Sequence, residues 1–237
     1  MPSWLNDSDE VLAEIDAFFA GRHIPEVEAE VLSPLPVSQG KVSAPIVSEG
    51  LFTNFVAFSG PQVDGRQLLD EALDGKKYAK DDIVKQIELV LNFEAPIQDD
   101  RLAKTVLRNL SFGRISPERI TDILSFIPRK QFTKDPIGRF VWRVDQDPLT
   151  WRNYRISLNE STRSADEISS YEYINALVDI VNRQRSVNHE SAVRELGATF
   201  GFRKINANVR DIIEVAIKKG LKNDHFVLVE GEYRPIA

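Results

Sequence analysis

The chain is 237 residues long, 42% hydrophobic and 28% charged, with a formal net charge of -6, a composition that suits a globular protein of one or two domains. With no cysteine, and with His23, His189 and His225 far apart in sequence, disulfides and thiolate metal sites are excluded and a histidine-rich metal site is disfavoured. No apolar run is long enough to span a bilayer, and the opening MPSWLNDSDE is acidic where a secretory signal is basic and then apolar, so a cytoplasmic chain without a membrane partner is expected.

The acidity is local. Residues 1–81 carry 14 acidic and 6 basic side chains, residues 82–143 carry 8 and 11, and residues 144–237 carry 14 and 13. In the first of these regions "NDSDEVLAEIDAFFAGR" offers cap residues, then Val11, Leu12, Ile15, Phe18 and Phe19 at helical spacing before Gly21, which predicts a short amphipathic helix. From Pro25 to about Pro61, prolines, glycines and serines separate short β-branched runs, the mark of an extended arm. A second short helix is expected at about Gly65 to Leu73, with "DGKK" as a hinge behind it.

From Lys80 onward the chain repeats itself. Laying residues 83–124 over 173–214 at a constant offset of 90 brings Ile87 onto Leu177, Val90 onto Ile180, Ile97 onto Val187, Val106 onto Leu196, Leu110 onto Phe200, Phe112 onto Phe202 and Ile123 onto Ile213. Arg114 falls on Lys204 and Asp100 on Glu190. Each copy reads as a first helix, a brief strand, a second helix, a third helix and a hairpin. The third helix of the first copy starts at Ser116 as N-cap with Pro117 in the first turn, where a missing N–H costs nothing. Three helices with a two-stranded wing make a winged helix, a variant of the helix-turn-helix. The expected fold is therefore mainly α with small β-wings, as tandem winged-helix domains behind an N-terminal helix and extended arm: 1–79 arm, 80–156 first winged helix and connector, 157–237 second winged helix.

"GRFVWRVDQDPLTWRNYR", Gly138 to Arg155, places two tryptophans, a tyrosine and four arginines in eighteen residues. It reads as a structural joint or a nucleic-acid contact. Alternation puts Phe140 and Trp142 on one face of the wing strand and Arg139, Val141 and Arg143 on the other. Trp151 and Tyr154, three apart, are expected on one face of a helical turn, fastening the connector with their apolar area.

The motifs "EAPIQDDRLAKTV", "DPIGRFVWRVDQDPLTWRNYR", "RSADEISSYEYINAL" and "VRELGATFGFRK", with "FTNFVAFSG" before them, resemble a bacterial family known only as a domain of unknown function. That family sits at the C-terminal end of large superfamily-one helicase proteins that also carry a restriction-endonuclease-like domain. The resemblance covers about Phe52 to Pro235 and implies a helicase or nuclease-type protein partner; the family has no established activity to transfer.

Chemistry is sparse. "SQGKVS" and "DGKKYA" lack the first glycine and the loop of a phosphate cradle. The pairs Asp81/Asp82 and Asp99/Asp100 read as helix-start carboxylates that stabilise the exposed N–H groups, and His189 beside Asn188 as a surface or capping residue. Neither an enzyme nor a cofactor is expected. What remains is binding, in which third helix and wing meet phosphates. The candidate nucleic-acid contacts are Arg203, Lys204, Asn208, Arg210, Lys218, Lys219 and Lys222 in the second copy, and Arg114, Arg119, Arg139 and Arg143 in the first. Glu118, Asp122, Asp211 and Glu214 on the same third helices oppose a sequence-specific reader, so the partner is DNA held weakly by its backbone or, alternatively, a protein docked on the module.

Overall fold

The computed structural model describes residues 52–60, 62–157 and 163–236; the expected helix near Val11 and the arm up to residue 51 lie outside them. The elements run β1 (Phe52–Asn54), α1 (Arg66–Leu73), α2 (Lys77–Glu94), β2 (Ile97–Gln98), α3 (Asp99–Asn109), α4 (Pro117–Ser125), β3 (Phe132–Lys134), β4 (Arg139–Val141), β5 (Tyr154–Ile156), α5 (Ser170–Gln184), β6 (Val187–Asn188), α6 (His189–Thr199), α7 (Ala207–Lys222), β7 (Val227–Val229) and β8 (Glu232–Arg234). The chain is mainly α with small β-sheets.

Local chemistry sets the helix starts. The Ser116 hydroxyl accepts the Arg119 N–H at 3.4 Å ahead of α4. Asn188 accepts the Ser191 N–H at 2.9 Å ahead of α6, and Asn206 the Val209 N–H at 2.9 Å ahead of α7. Each satisfies an N–H that the helix leaves unpaired. Asp99 and Asp100 stand in the first turn of α3 as expected. Asp81 and Asp82 do not cap: α2 already begins at Lys77, so they sit a turn inside it, and Asp82 pairs with Lys85 at 2.8 Å.

The repeat is visible in the element boundaries. β2 and α3 coincide with β6 and α6 at the 90-residue offset, and α4 and α7 start at the same offset. The aligned apolar pairs match in burial: Ile97 and Val187, Val106 and Leu196, Leu110 and Phe200, Ile123 and Ile213 are all buried. Each half also closes an antiparallel three-stranded sheet in which the early strand lies beside the last, β2-β4-β3 and β6-β8-β7. Two hydrophobic cores result. The first is built around Leu69, Ile83, Ile87, Leu102, Val106, Leu110, Ile123 and Val141, and the second around Tyr154, Tyr173, Leu177, Leu196, Phe200, Ile213 and Phe226. Leu69 and Ala72 of α1, from the stretch expected to belong to the arm, pack into the first core.

The third helices differ in length, nine residues for α4 against sixteen for α7. Pro128 lies three residues beyond α4, and a proline cannot continue the backbone hydrogen-bond ladder; the second copy has Lys218 there and the helix runs on.

The connector differs from expectation. Tyr154 is not on a helical turn with Trp151; it opens β5, which pairs in parallel with β1, Phe52 opposite Tyr154 and Asn54 opposite Ile156. The period-two pattern of Tyr154 and Ile156 prevails over the spacing of three, because a strand partner arrives from a hundred residues upstream.

Candidate nucleic-acid interface

The residues nominated from the sequence separate into two groups. Arg114, Lys204, Asn208, Lys218 and Lys222 are solvent-exposed, as is Arg203, and no carboxylate among the described residues pairs with Arg114, Lys204, Lys218 or Lys222. Arg114 and Lys204 occupy equivalent places, three residues before α4 and α7. Asn208, Asp211, Lys218 and Lys222 are exposed along one side of α7, with the aspartate interrupting the basic run.

The other nominated cations are engaged. Arg210 forks onto Glu190, Nη1 to Oε1 and Nη2 to Oε2, each 3.0 Å. Arg119 holds Asp70 at 2.8 Å and lies over the Phe112 ring. Arg139 bonds Asp99 and covers the Phe132 ring at 4.8 Å from its centroid, and Arg143 pairs with Asp145. Lys219 is turned inward: its Nζ donates to Ser170 Oγ at 2.8 Å, lies 3.5 Å from Asp135 Oδ2 and stands 3.6 Å from the Tyr171 ring centroid. Burial pushes the Lys219 ammonium below its ordinary value, with Asp135 acting against the shift. This lysine ties α7 to α5 and to the β3–β4 turn of the first half. Lys218, Lys219 and Lys222 do share a shallow 360 Å³ cavity, closed on one side by Pro136 from that turn.

The first hairpin is enclosed on both faces. Val141, expected beside Arg139 and Arg143 on an outer face, is buried in the first core. Trp142, on the opposite face, meets Trp151 of the connector edge-on at 5.3 Å and Tyr171 of α5 at 5.6 Å. As the middle strand of its sheet, β4 is packed between the first core and the second half, which leaves its aromatics no access to a ligand. The joint reading of this stretch is the one its aromatics follow.

What the sequence did not reveal is the charged seam between the halves. Glu172 of α5 is fully buried and receives Arg155 and Arg163. Arg155 also donates through Nη2 to the Pro96 carbonyl at 2.7 Å and through Nη1 to the Glu94 carbonyl, at the end of α2. Burial would raise the Glu172 carboxyl; the two arginines overcome it and hold the group below the usual carboxylate range. The Phe55 ring centroid lies 4.2 Å from the Arg163 guanidinium, 5.4 Å from that of Arg155 and 5.5 Å from that of Arg101, three cation–π contacts on one ring. Arg101 bridges Glu94 at 2.7 Å and Glu167 at 2.9 Å, again across the halves. The one signal in the sequence is that Phe55, Arg155 and Arg163 all fall in the motif-bearing stretches.

No family model, no curated protein and no solved structure matches the chain.

His189 is more engaged than a surface residue. Its Nδ1 is 2.8 Å from the Tyr233 hydroxyl and its Nε2 is 3.5 Å from Glu214, so it links α6, α7 and β8. Among the described residues no group of three or more histidines and carboxylates is placed to hold a metal ion, and no helix is long and apolar enough to cross a membrane.

Proposed function

We propose that the chain is a non-catalytic tandem winged-helix module whose work is docking a protein of a bacterial helicase or nuclease-type system. The winged-helix reading is supported by the shared order of helix, strand, two helices and hairpin, with the early strand beside the last in each half. The first unit takes residues 80–156 with its connector and the second 157–237.

One observation carries docking over nucleic-acid contact. Five nominated cations, Arg119, Arg139, Arg143, Arg210 and Lys219, already hold carboxylates, so each would have to give up a partner to meet a phosphate. The second hairpin points the same way: the edge strand β7 exposes Val227, Leu228 and Val229, and its turn carries Glu230. An apolar, acidic edge suits a protein strand better than a polyanion.

The test is fluorescence anisotropy of the chain with labelled duplex and single-stranded DNA from about 20 mM salt upward, alongside co-purification with helicase and nuclease-type proteins. Docking predicts no salt-sensitive DNA binding and a captured partner that Leu228→Glu releases. Binding that falls steeply with salt would favour the second reading, a backbone-directed DNA accessory. That reading has its own support in the paired positions of Arg114 and Lys204 and in exposed Lys218 and Lys222; reversal of these four to glutamate would then abolish the binding, whereas Arg210→Glu would not.

A further inference from the structure

The two halves share their first helices and hairpins but not the end of their third helices. In the second half, the last turns of α7 lie against α5: Ala216 and Ile217 are buried, and Gly220 is packed so closely that a Cβ on it would stand 3.3 Å from Ile174 and 2.6 Å from the Phe226 ring. In the first half, the residues aligned with Ala216 and Ile217 are Phe126 and Ile127, where the helix stops. The residue aligned with Ile174 is Val84, and the residue before β3, as Phe226 is before β7, is Gln131. Val84, Leu91, Phe126, Ile127, Gln131 and Val144 line a groove of 610 Å³ beside α2.

We propose that this groove receives an amphipathic helix of a partner protein, in the place that the second half fills with its own α7. The inference rests on the docking reading and names its chemistry. The occupant is two turns, on the order of 10 Å of helix, in the place of the part of α7 beyond Ile217, with a small side chain facing Val84 as Gly220 faces Ile174. Glu88 and Lys130, exposed at the rim and without a charged partner among the described residues, select a lysine or arginine on one flank of that helix and a carboxylate on the other. Val144, 75% exposed at the groove mouth, is the apolar surface such a helix would cover.

The probe is a fluorescein-labelled, lactam-bridged helical peptide with the sequence of Arg210–Asn223, titrated against the full chain by anisotropy. The expected result is saturable binding with a dissociation constant on the order of 100 μM, weakened at least tenfold by Val84→Glu and by Val144→Glu, and lost when the peptide carries Gly220→Asp. Val144→Glu, on an exposed residue, keeps the test valid if Val84→Glu unfolds the chain, which a thermal melt reports. No saturation at about 1 mM peptide, or equal binding by both variants, overturns the inference. So does a chain dimer, seen by sedimentation, that Val84→Glu or Val144→Glu dissociates, since the groove would then hold a second copy. If the peptide fails while Leu228→Glu still releases the captured protein, only the groove assignment falls and docking stands.

Discussion

Arg155 and Glu172 are joined three ways: the Arg155 backbone N–H and its Nε each donate to Glu172 Oε2 at 3.0 Å, and its Nη2 donates to Oε1 at 2.6 Å. The same guanidinium reaches the Glu94 and Pro96 carbonyls, so a single side chain of β5 fixes the start of α5 against the end of α2. The halves are thereby welded through desolvated polar groups, beside the apolar contacts that Trp142 and Ile137 make with the second half, while the two cores remain distinct. In such a seam removing a partner is costly, because a buried group left alone costs more than its bond returns.

Glu172→Gln is therefore expected to destabilise the chain by about 3–5 kcal/mol, since it strands Arg155 and Arg163 as buried cations facing a neutral amide. Arg163 lies 2.8 Å from Glu172 Oε1 and loses its countercharge as well. Urea unfolding followed by circular dichroism measures the difference; a loss under about 1 kcal/mol would mean that water or relaxation satisfies the arginines and that the seam is not desolvated.

The same carboxylate sets an acid limit. Its folded-state pKa lies below the ordinary 4.5, so around and below that pH the unfolded chain binds a proton that the folded chain resists. The stabilisation is complete above the unfolded pKa and drains away as pH falls toward the folded one. Unfolding midpoints at about pH 6, 4.5 and 3 should show the advantage of the native chain over Glu172→Gln shrinking with acidity; a constant gap across that range contradicts it.

The helices from α2 onward were legible because apolar spacing, caps and the repeat agreed with one another, as at Ser116 and Pro117. The seam was not, for a physical reason: Arg155 meets Glu172 across 17 residues and the Glu94 carbonyl across 61, and no local pattern marks a pairing at that range. Lys219 misled in the same way. Near a helix C-terminus it reads as a dipole partner or a phosphate contact, yet Asp135, 84 residues away, takes it inward. The parallel pairing of β1 with β5 was hidden because its strands are three residues each, too short for a period to register.

Trp142 separates packing from hydrogen bonding. It is 2% exposed between Trp151 and Tyr171, and its indole Nε1 has no hydrogen-bond partner among the described residues. Trp142→Ala is expected to cost about 3–5 kcal/mol through the cavity it leaves. Trp142→Phe keeps an edge for the neighbouring rings and removes the unsatisfied donor, whose burial itself costs about 1–3 kcal/mol, so the net loss should stay below about 1.5 kcal/mol. Equal losses for both variants, measured by thermal melting, would show that the indole nitrogen is satisfied in solution.

Gly220→Ala sets two effects of opposite sign against each other. In a helix interior alanine is favoured over glycine by about 1 kcal/mol, and α7 runs through this position. Against that, the new methyl would stand 2.6 Å from two atoms of the Phe226 ring and 3.3 Å from Ile174. Phe226 is 1% exposed and packs edge-on against Tyr233 at 5.6 Å, so the ring has no solvent side into which to swing. Overpacking of this kind costs about 1–3 kcal/mol, and the net expectation is a destabilised chain, by about 1 kcal/mol, with the methyl signals of Ile174 and the ring signals of Phe226 shifted in NMR spectra. A stabilised variant would mean that α7 slides away from α5 at little cost, and the second half would then be no guide to what fills the groove beside α2.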